Sequence, residues 1–203
     1  MAGESFDYSD YHRTVLGCHG TTKEVAKKLV DGKPFQDSDE DDEWFGKGVY
    51  FWEYAPKQAW WWAKTHKKYP QPAVVGAVIR LGNCFDLLDP VNVATLKSLK
   101  EEMVSDLKLA GNRVPKNVLS HKRLDCAVFN YLYGRAESVQ QPIDTARAVF
   151  APSTTSTRAW KTSWINDNAH IQICVRTQSS ILAVWHVRED GRYGKEDEGQ
   201  EGG

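Results

Sequence analysis

The stretch WFGKGVYFWE, residues 44–53, decides the interpretation of this chain together with the upstream segment GCHGTT, residues 17–22. Each segment sets one polar ring among glycines and aromatic or β-branched residues: His19 in the upstream segment and Tyr50 in the downstream one. Glycine lets the backbone turn tightly or approach a ligand closely. In this order and spacing, the two segments predict a site for a flat, charged, nucleotide-like molecule.

The composition predicts one soluble globular domain. The chain has 203 residues, of which 41% are hydrophobic and 26% are charged, and its net charge is −1. A chain of this length can bury one sizeable core. Because the net charge is close to zero, any charged partner must be met by a local patch.

Cysteine usage and hydropathy predict a cytoplasmic protein without a membrane partner. The four cysteines are widely spaced and form no CxxC pair, which is typical of a reducing compartment. The N-terminus has no charged-then-apolar leader, and no apolar run approaches ~20 residues. No histidine or cysteine pair has the spacing of metal ligands, so we expect no metal site.

The hydrophobic pattern predicts an α+β fold. We expect a polar N-terminal arm at 1–13, a single domain at 14–188 and a disordered tail at 189–203. A helical block at about 89–133 interrupts the strands, which favours α+β over a doubly wound parallel sheet. The short turn at 177–180 indicates a hairpin between the last two strands. Strands are expected at 15–18, 48–52, 73–81, 146–151, 171–176 and 181–188, and helices at about 22–32, 56–68, 89–111 and 124–133.

Two charged or aromatic segments flank the predicted site. Residues 37–43 include six acids in seven positions, which predicts a solvated loop or, alternatively, a mobile lid or a docking site for a basic partner. Three consecutive tryptophans, Trp60 to Trp62, cannot all face one core at ~100° per residue, so at least one should be exposed or touch another element. A lysine cluster lies beside them and is compatible with nucleic acid, although lysines often only solvate a helix: Lys57, Lys64, Lys67 and Lys68.

A third polar residue interrupts a late apolar strand. Gln172 shares one strand face with His170 and Cys174, whereas Ile171 and Ile173 face the other way. A buried amide needs a hydrogen-bond partner, which can be a neighbouring backbone group or a ligand hydroxyl. His19 and Tyr50 also have structural alternatives, as a satisfied histidine and a core tyrosine.

Together, His19, Tyr50 and Gln172 give a chain that resembles ADP-ribosyltransferases of the diphtheria-toxin and poly(ADP-ribose) polymerase type. That family has a Gly-x-His-Gly-Thr segment, matched by residues 17–21, and a Gly-x-Gly-[Ile/Val]-Tyr-Phe segment, matched by residues 46–51. Its third mark is a Glu, or a replacement, that starts a later strand, and by position this is Gln172. The resemblance covers most of residues 14–188. Within the family, the chain is similar to bacterial toxin or phage-defence members.

The resemblance implies a split β-sandwich with an inserted helical segment and an extended cleft that holds NAD as a substrate. His19 is expected to hydrogen-bond the adenosine-side ribose, and Gly20, with Thr21 and Gly48, to line the dinucleotide site. Tyr50 is expected to stack on the nicotinamide ring, with Tyr54 on its other face. Gln172 is expected to contact the nicotinamide ribose.

The glutamine is a departure from the usual catalytic Glu of this family. An amide can bind a ribose hydroxyl, but it cannot take a proton or supply a negative charge. Elongation to poly(ADP-ribose) is therefore not expected, and Glu53 is the nearest candidate for another carboxylate base.

The leading hypothesis is an NAD-dependent mono-ADP-ribosyltransferase of a toxin–antitoxin or phage-defence locus. Its acceptor would be a nucleic acid base or a protein side chain, and an antitoxin would be a partner. The alternative is a non-catalytic module that binds NAD or ADP-ribose. An RNA 2′-phosphotransferase shares the fold and a similar His-Gly-Thr segment, but it relies on further Arg and His residues where this chain has Tyr50.

Overall fold

The computed structural model describes residues 13–40, 43–118, 121–150 and 158–190, which form a mixed α+β fold around a seven-stranded, mostly antiparallel sheet. The predicted α+β class is thus confirmed. The predicted arm and tail lie outside the described residues, except for Arg13, Glu189 and Asp190. The strands are β1 (Thr14–Thr22), β2 (Val49–Glu53), β3 (Pro72–Arg80), β4 (Cys84–Asp86), β5 (Thr145–Phe150), β6 (His170–Val175) and β7 (Ile181–Val187), and the helices are α1 (Lys23–Val30), α2 (Pro56–Trp61), α3 (Pro90–Leu109) and α4 (Arg123–Ser138).

The strand order is β4-β5-β6-β2-β1-β3-β7. The predicted hairpin between the last two strands is wrong, because β6 pairs with β2 and β5 whereas β7 pairs with β3 at the far edge. The predicted turn contains a short 3₁₀ helix, Gln178–Ser180, which leads the chain from β6 inside the sheet to β7 at its edge. The three-residue strand β4, which pairs in parallel with β5, was not predicted because it is too short to show alternation.

The pairing between β1 and β2 is unusually short. β1 pairs with β3 along all nine of its residues, from Thr14 to Thr22. It pairs with β2 at only two positions, Gly17 with Glu53 and Cys18 with Trp52. The two strands therefore separate at His19, and the sheet opens next to the two segments that the sequence singled out.

Helices cover both faces of the sheet. Alternation along β2 sends Val49 and Phe51 into the cluster that contains Ala26 and Leu29 of α1. Tyr50 lies in the opposite cluster, which contains Phe129 of α4. A third cluster, under β1 and β3, packs against α2 and contains Cys18, Trp52, Ala59, Val74 and Val187.

Local sequence signals explain where the helices begin and end. Thr22 caps α1 by accepting a hydrogen bond from the Val25 amide, and Asp89 caps α3 in the same way from the Val91 amide. α2 starts at Pro56 and continues as a π-helical turn, Trp62–His66. Trp61 is 50% exposed, which confirms that the three tryptophans do not share one core. In the described part of the chain, no helix is long and apolar enough to cross a membrane.

Candidate functional site

A cleft of about 470 Å³ lies at the opening between β1 and β2. It brings together five of the predicted binding residues from two distant segments: His19, Gly20 and Thr21 of β1, with Gly48 just before β2 and Tyr50 within it. Residues 33–38, which follow α1, form another wall of the cleft. A third wall contains Trp62 of the π-helical turn and Lys67, which directly follows that turn.

The imidazole of His19 spans the gap between the separated strands. Its Nδ1 lies 2.8 Å from the carbonyl oxygen of Tyr50, so Nδ1 carries the proton and donates to that oxygen. The side chain thus replaces a ladder hydrogen bond that the strands no longer make. Burial lowers the pKa of His19, and the hydrogen bond to the Tyr50 carbonyl opposes this effect only in part. The neutral ring keeps a lone pair on Nε2 that can accept a hydrogen bond from a ligand hydroxyl.

The hydroxyl of Tyr50 makes two hydrogen bonds to the backbone of the loop before β2. It donates to the carbonyl oxygen of Gly46 at 2.7 Å and accepts from the amide of Phe45 at 3.1 Å. Burial raises the pKa of Tyr50 well above its usual value, so the hydroxyl stays neutral. The loop before β2 therefore holds the ring in place where Tyr50 lines the cleft.

Two glycines of the cleft have no room for a side chain. A Cβ at Gly20 would lie 2.6 Å from the carbonyl oxygen of Ala59, because α2 packs directly on β1 there. A Cβ at Gly48 would lie 2.5 Å from Sγ of Cys174, and Gly48 has a φ of +155°, which side-chain-bearing residues rarely adopt. The glycines in both segments are thus required by packing as well as by access to the cleft.

Gln172 lies on the same sheet face as Tyr50 but outside the lining of the cleft. Its Oε1 accepts a hydrogen bond of 2.7 Å from the indole of Trp44, and its Nε2 lies 3.0 Å from Nε2 of His170. Nδ1 of His170 lies 2.8 Å from the carbonyl oxygen of Asn168 and donates to it, so Nε2 of His170 accepts from the amide. Both partners of this amide are therefore side chains, and the backbone partner predicted from the sequence as one alternative is wrong.

Glu53 is held away from the cleft by an ion pair. Both of its carboxylate oxygens bind Arg147, at 2.6 Å from Nε and 2.9 Å from Nη2. Arg147 also binds Asp86 at 3.0 Å, and Asp86 binds Arg13 at 3.3 Å. Glu53 does not line the cleft, and its side chain is only 8% exposed. A carboxylate in this network is engaged as a structural partner of Arg147.

Tyr54 also lies outside the cleft lining. It is 62% exposed and has a positive φ of 50° just after β2. Other aromatic rings line the cleft instead, namely Phe35, Trp52, Trp62 and Tyr69. Trp62 and Tyr69 make an edge-to-face pair with centroids 6.1 Å apart. The cluster of tryptophans was the sequence signal for this wall, but their direction depends on how α2 packs on β1.

The acidic run contributes to the cleft wall as well as to the surface. Among its described members, Asp37, Glu40 and Glu43 line the cleft. Glu40 pairs with Lys67 across the cleft at 3.2 Å, and Lys67 lies over the ring of Trp62 at 5.3 Å. Residues 41 and 42 lie outside the described residues. Three lysines supply positive charge to the same cleft: Lys28, Lys33 and Lys67.

Within the described ranges, no group of three or more His, Cys, Asp or Glu side chains is arranged to hold a metal ion. No model of a known protein family matches the chain, and no solved structure matches it. The chain is similar to the uncharacterized protein MJ0359 of Methanocaldococcus jannaschii, with 26% identity over 141 residues. The match covers 65% of this chain and 63% of that protein, so this chain spans less than two thirds of the relative's length.

Proposed function

We propose that the cleft between β1 and β2 binds NAD and that the protein is a mono-ADP-ribosyltransferase, with the sheet as the split β-sandwich of that class. The observation that carries the proposal is the hydrogen bond from Nδ1 of His19 to the Tyr50 carbonyl, made where the two strands separate and both residues line one cleft. The resemblance of residues 17–21 and 46–51 to the family segments supplies the identity of the ligand.

The cleft has side chains suited to a ribose, to the nicotinamide ring and to the pyrophosphate of a dinucleotide. Nε2 of the neutral His19 can accept a hydrogen bond from a ribose hydroxyl, and the ring of Tyr50 can stack on nicotinamide. Lys28 and Lys33 lie on the wall from which positive charge can reach the pyrophosphate. Gly20 lines the cleft without a side chain, so a ligand can approach its backbone there.

The proposed reaction breaks the bond between nicotinamide and C1′ of the ribose. Nicotinamide leaves with the electron pair of that bond, and positive charge builds up on the ribose, as in glycoside hydrolysis. A nucleophilic nitrogen or oxygen of a macromolecular acceptor forms the new bond to C1′ and gives its proton to solvent or a base. Positioning of the two reactants is the contribution that His19 and Tyr50 would make.

A second candidate function is an NAD- or ADP-ribose-binding module without transfer. The partners of two side chains favour this binding module. Glu53 is paired with Arg147, and the Gln172 amide is held between Trp44 and His170. Neither residue is a free carboxylate that could take the acceptor's proton. Binding in the cleft would then be the whole activity.

Incubation of the protein with NAD labelled in the adenosine part, in the presence of separate pools of RNA, DNA and protein, tests the proposal. We expect label on one pool together with release of free nicotinamide. Binding of NAD with neither product would identify the binding module. Absence of NAD binding would overturn the transferase, and absence of binding of both NAD and ADP-ribose would overturn the binding module as well.

A further inference from the structure

A second groove, also about 470 Å³, lies on the opposite side of the helical segment 56–66 from the cleft. Trp60 and Lys64 line this groove, whereas Trp62 lines the cleft. At ~100° per residue, positions 60 and 64 project on one side of a helix and position 62 on the other. One helical segment thus separates the two cavities, at a thickness of about 10 Å.

The groove combines basic side chains with an aromatic floor. Lys23, Lys64, His186 and Arg188 line it together with Trp60. The indole of Trp60 donates to the carbonyl oxygen of Arg188 at 3.3 Å, which fixes the ring. Nζ of Lys64 lies 5.3 Å from the centre of that ring. Basic side chains that follow a backbone, next to aromatic rings on which bases stack, are how proteins bind single nucleic acid strands.

Two of the basic side chains form ion pairs with carboxylates of the same chain. Glu189 pairs with Lys64, and Asp190 lies 3.9 Å from Arg188. The side chains of these two acids are 67% and 41% exposed, so both pairs are weak and can exchange for other anions. They mark two positions in the groove at which an anionic oxygen is held.

The surface beside the groove also combines an aromatic side chain with lysines. Trp61 is 50% exposed, and Lys57 and Lys68 are exposed on the same helical segment or just after it. A large exposed aromatic side chain among lysines gives further room for a base next to a phosphate. The positive charge is local, since the whole chain carries a net charge of −1.

We propose that this groove binds a single nucleic acid strand, with phosphates on Lys23, Lys64 and Arg188 and a base against Trp60. The further statement that this strand is the acceptor of ADP-ribose rests on the proposed function. The groove and the cleft are one helix apart, so a nucleotide that extends past the helical segment can approach the ligand in the cleft.

Fluorescence anisotropy of the full chain, without NAD, tests the groove with labelled oligo(U), oligo(dT) and a duplex, each of about 20 nucleotides. We expect both single strands, or one of them, to bind more tightly than the duplex. Lys23→Glu with Lys64→Glu should weaken this binding at least about tenfold, and the slope of log affinity against log salt should fall by about 1.4. The matched control, Lys108→Glu with Lys116→Glu, changes two exposed lysines elsewhere and should bind like the wild type.

A second variant keeps the test decisive if the charge reversals disturb folding. Glu189→Gln with Asp190→Asn removes the competing carboxylates and should tighten strand binding severalfold. Equal affinity of the groove variant and the control, or no strand binding by the wild type, would overturn the inference. Strand binding without NAD binding would sustain the groove and defeat the proposed function. NAD binding without strand binding would overturn the groove inference and leave the proposed function standing.

Discussion

The indole Nε1 of Trp44 donates a hydrogen bond of 2.7 Å to Oε1 of Gln172, across a separation of 128 residues in the chain. On the other side of the amide, Nε2 of Gln172 donates to Nε2 of His170. Position 172 is therefore surrounded by one donor and one acceptor. An amide satisfies both, whereas a carboxylate can only accept. This environment gives a physical reason for glutamine rather than glutamate at position 172.

Gln172→Glu should raise the pKa of His170. In the wild type, burial lowers the pKa of His170, although its hydrogen bond to Asn168 opposes this, and the neutral ring accepts from Gln172. A carboxylate at 172 would face the lone pair of Nε2 and favour the protonated ring. We expect the NMR titration of the His170 ring to move from below about 6.5 to above it. Gln172→Met, which removes the amide without adding charge, serves as the control, and an unchanged titration in the Glu variant would contradict this account of the position.

Acid should destabilise the protein through His19 and His170. The pKa values of both are lowered in the folded state, chiefly by burial, so the unfolded state binds more protons below its own pKa of about 6.5. The contribution of these histidines to the free energy of unfolding is thus complete above about pH 6.5 and decreases as the pH falls below that value. Urea unfolding at pH 7 and at pH 5.5 measures the decrease. His170→Gln should show a smaller decrease than the wild type, and an equal one would argue against the buried neutral ring.

Tyr50→Phe and Tyr50→Ala should separate the two roles of this side chain. Loss of the hydroxyl leaves the Phe45 amide and the Gly46 carbonyl without their partner, which should lower the free energy of unfolding by about 1–3 kcal/mol. The Phe variant keeps the ring, so its affinity for NAD should stay within about threefold of the wild type, whereas Ala should abolish binding. Tyr131→Phe is the matched control, since that hydroxyl binds Glu102 and Asp106 on the α3 surface. Retention of affinity in the Ala variant would exclude a stacking role.

Glu53→Gln should reduce stability and leave NAD affinity unchanged. The ion pair with Arg147 is nearly buried, with side-chain exposures of 8% and 11%. Removing one charge leaves Arg147 with Asp86 as its remaining partner, and we expect a loss of about 1–3 kcal/mol in the free energy of unfolding. Denaturant unfolding and NAD titration of the same sample measure both effects. A stable variant that releases no nicotinamide, while the wild type does, would instead assign Glu53 a chemical role.

The features of this molecule that depend on local sequence patterns could be predicted, whereas those that depend on contacts between distant segments could not. The glycines around His19 and Tyr50 form short local patterns, so the sequence identified both segments, and the structure brings them to one cleft. Glu53 and Arg147 are 94 residues apart, and nothing near Glu53 in the sequence shows that an arginine will hold it. The hairpin prediction failed for the same reason, since the pairing of β7 with β3 depends on strands more than 100 residues apart. The wall formed by Trp62 and Tyr69 depends likewise on the packing of α2 against β1.

Calorimetric titration of NAD into the wild type, His19→Ala and His121→Ala tests the central claim most directly. His19 connects the separated strands through the Tyr50 carbonyl and lines the cleft, whereas His121 precedes α4 and does not line the cleft. The account predicts one NAD bound per chain by the wild type and by His121→Ala. It predicts an affinity at least about tenfold lower for His19→Ala, because a ribose hydrogen bond and the support of Tyr50 are both lost. No binding by the wild type, or equal affinity of the two histidine variants, would contradict it.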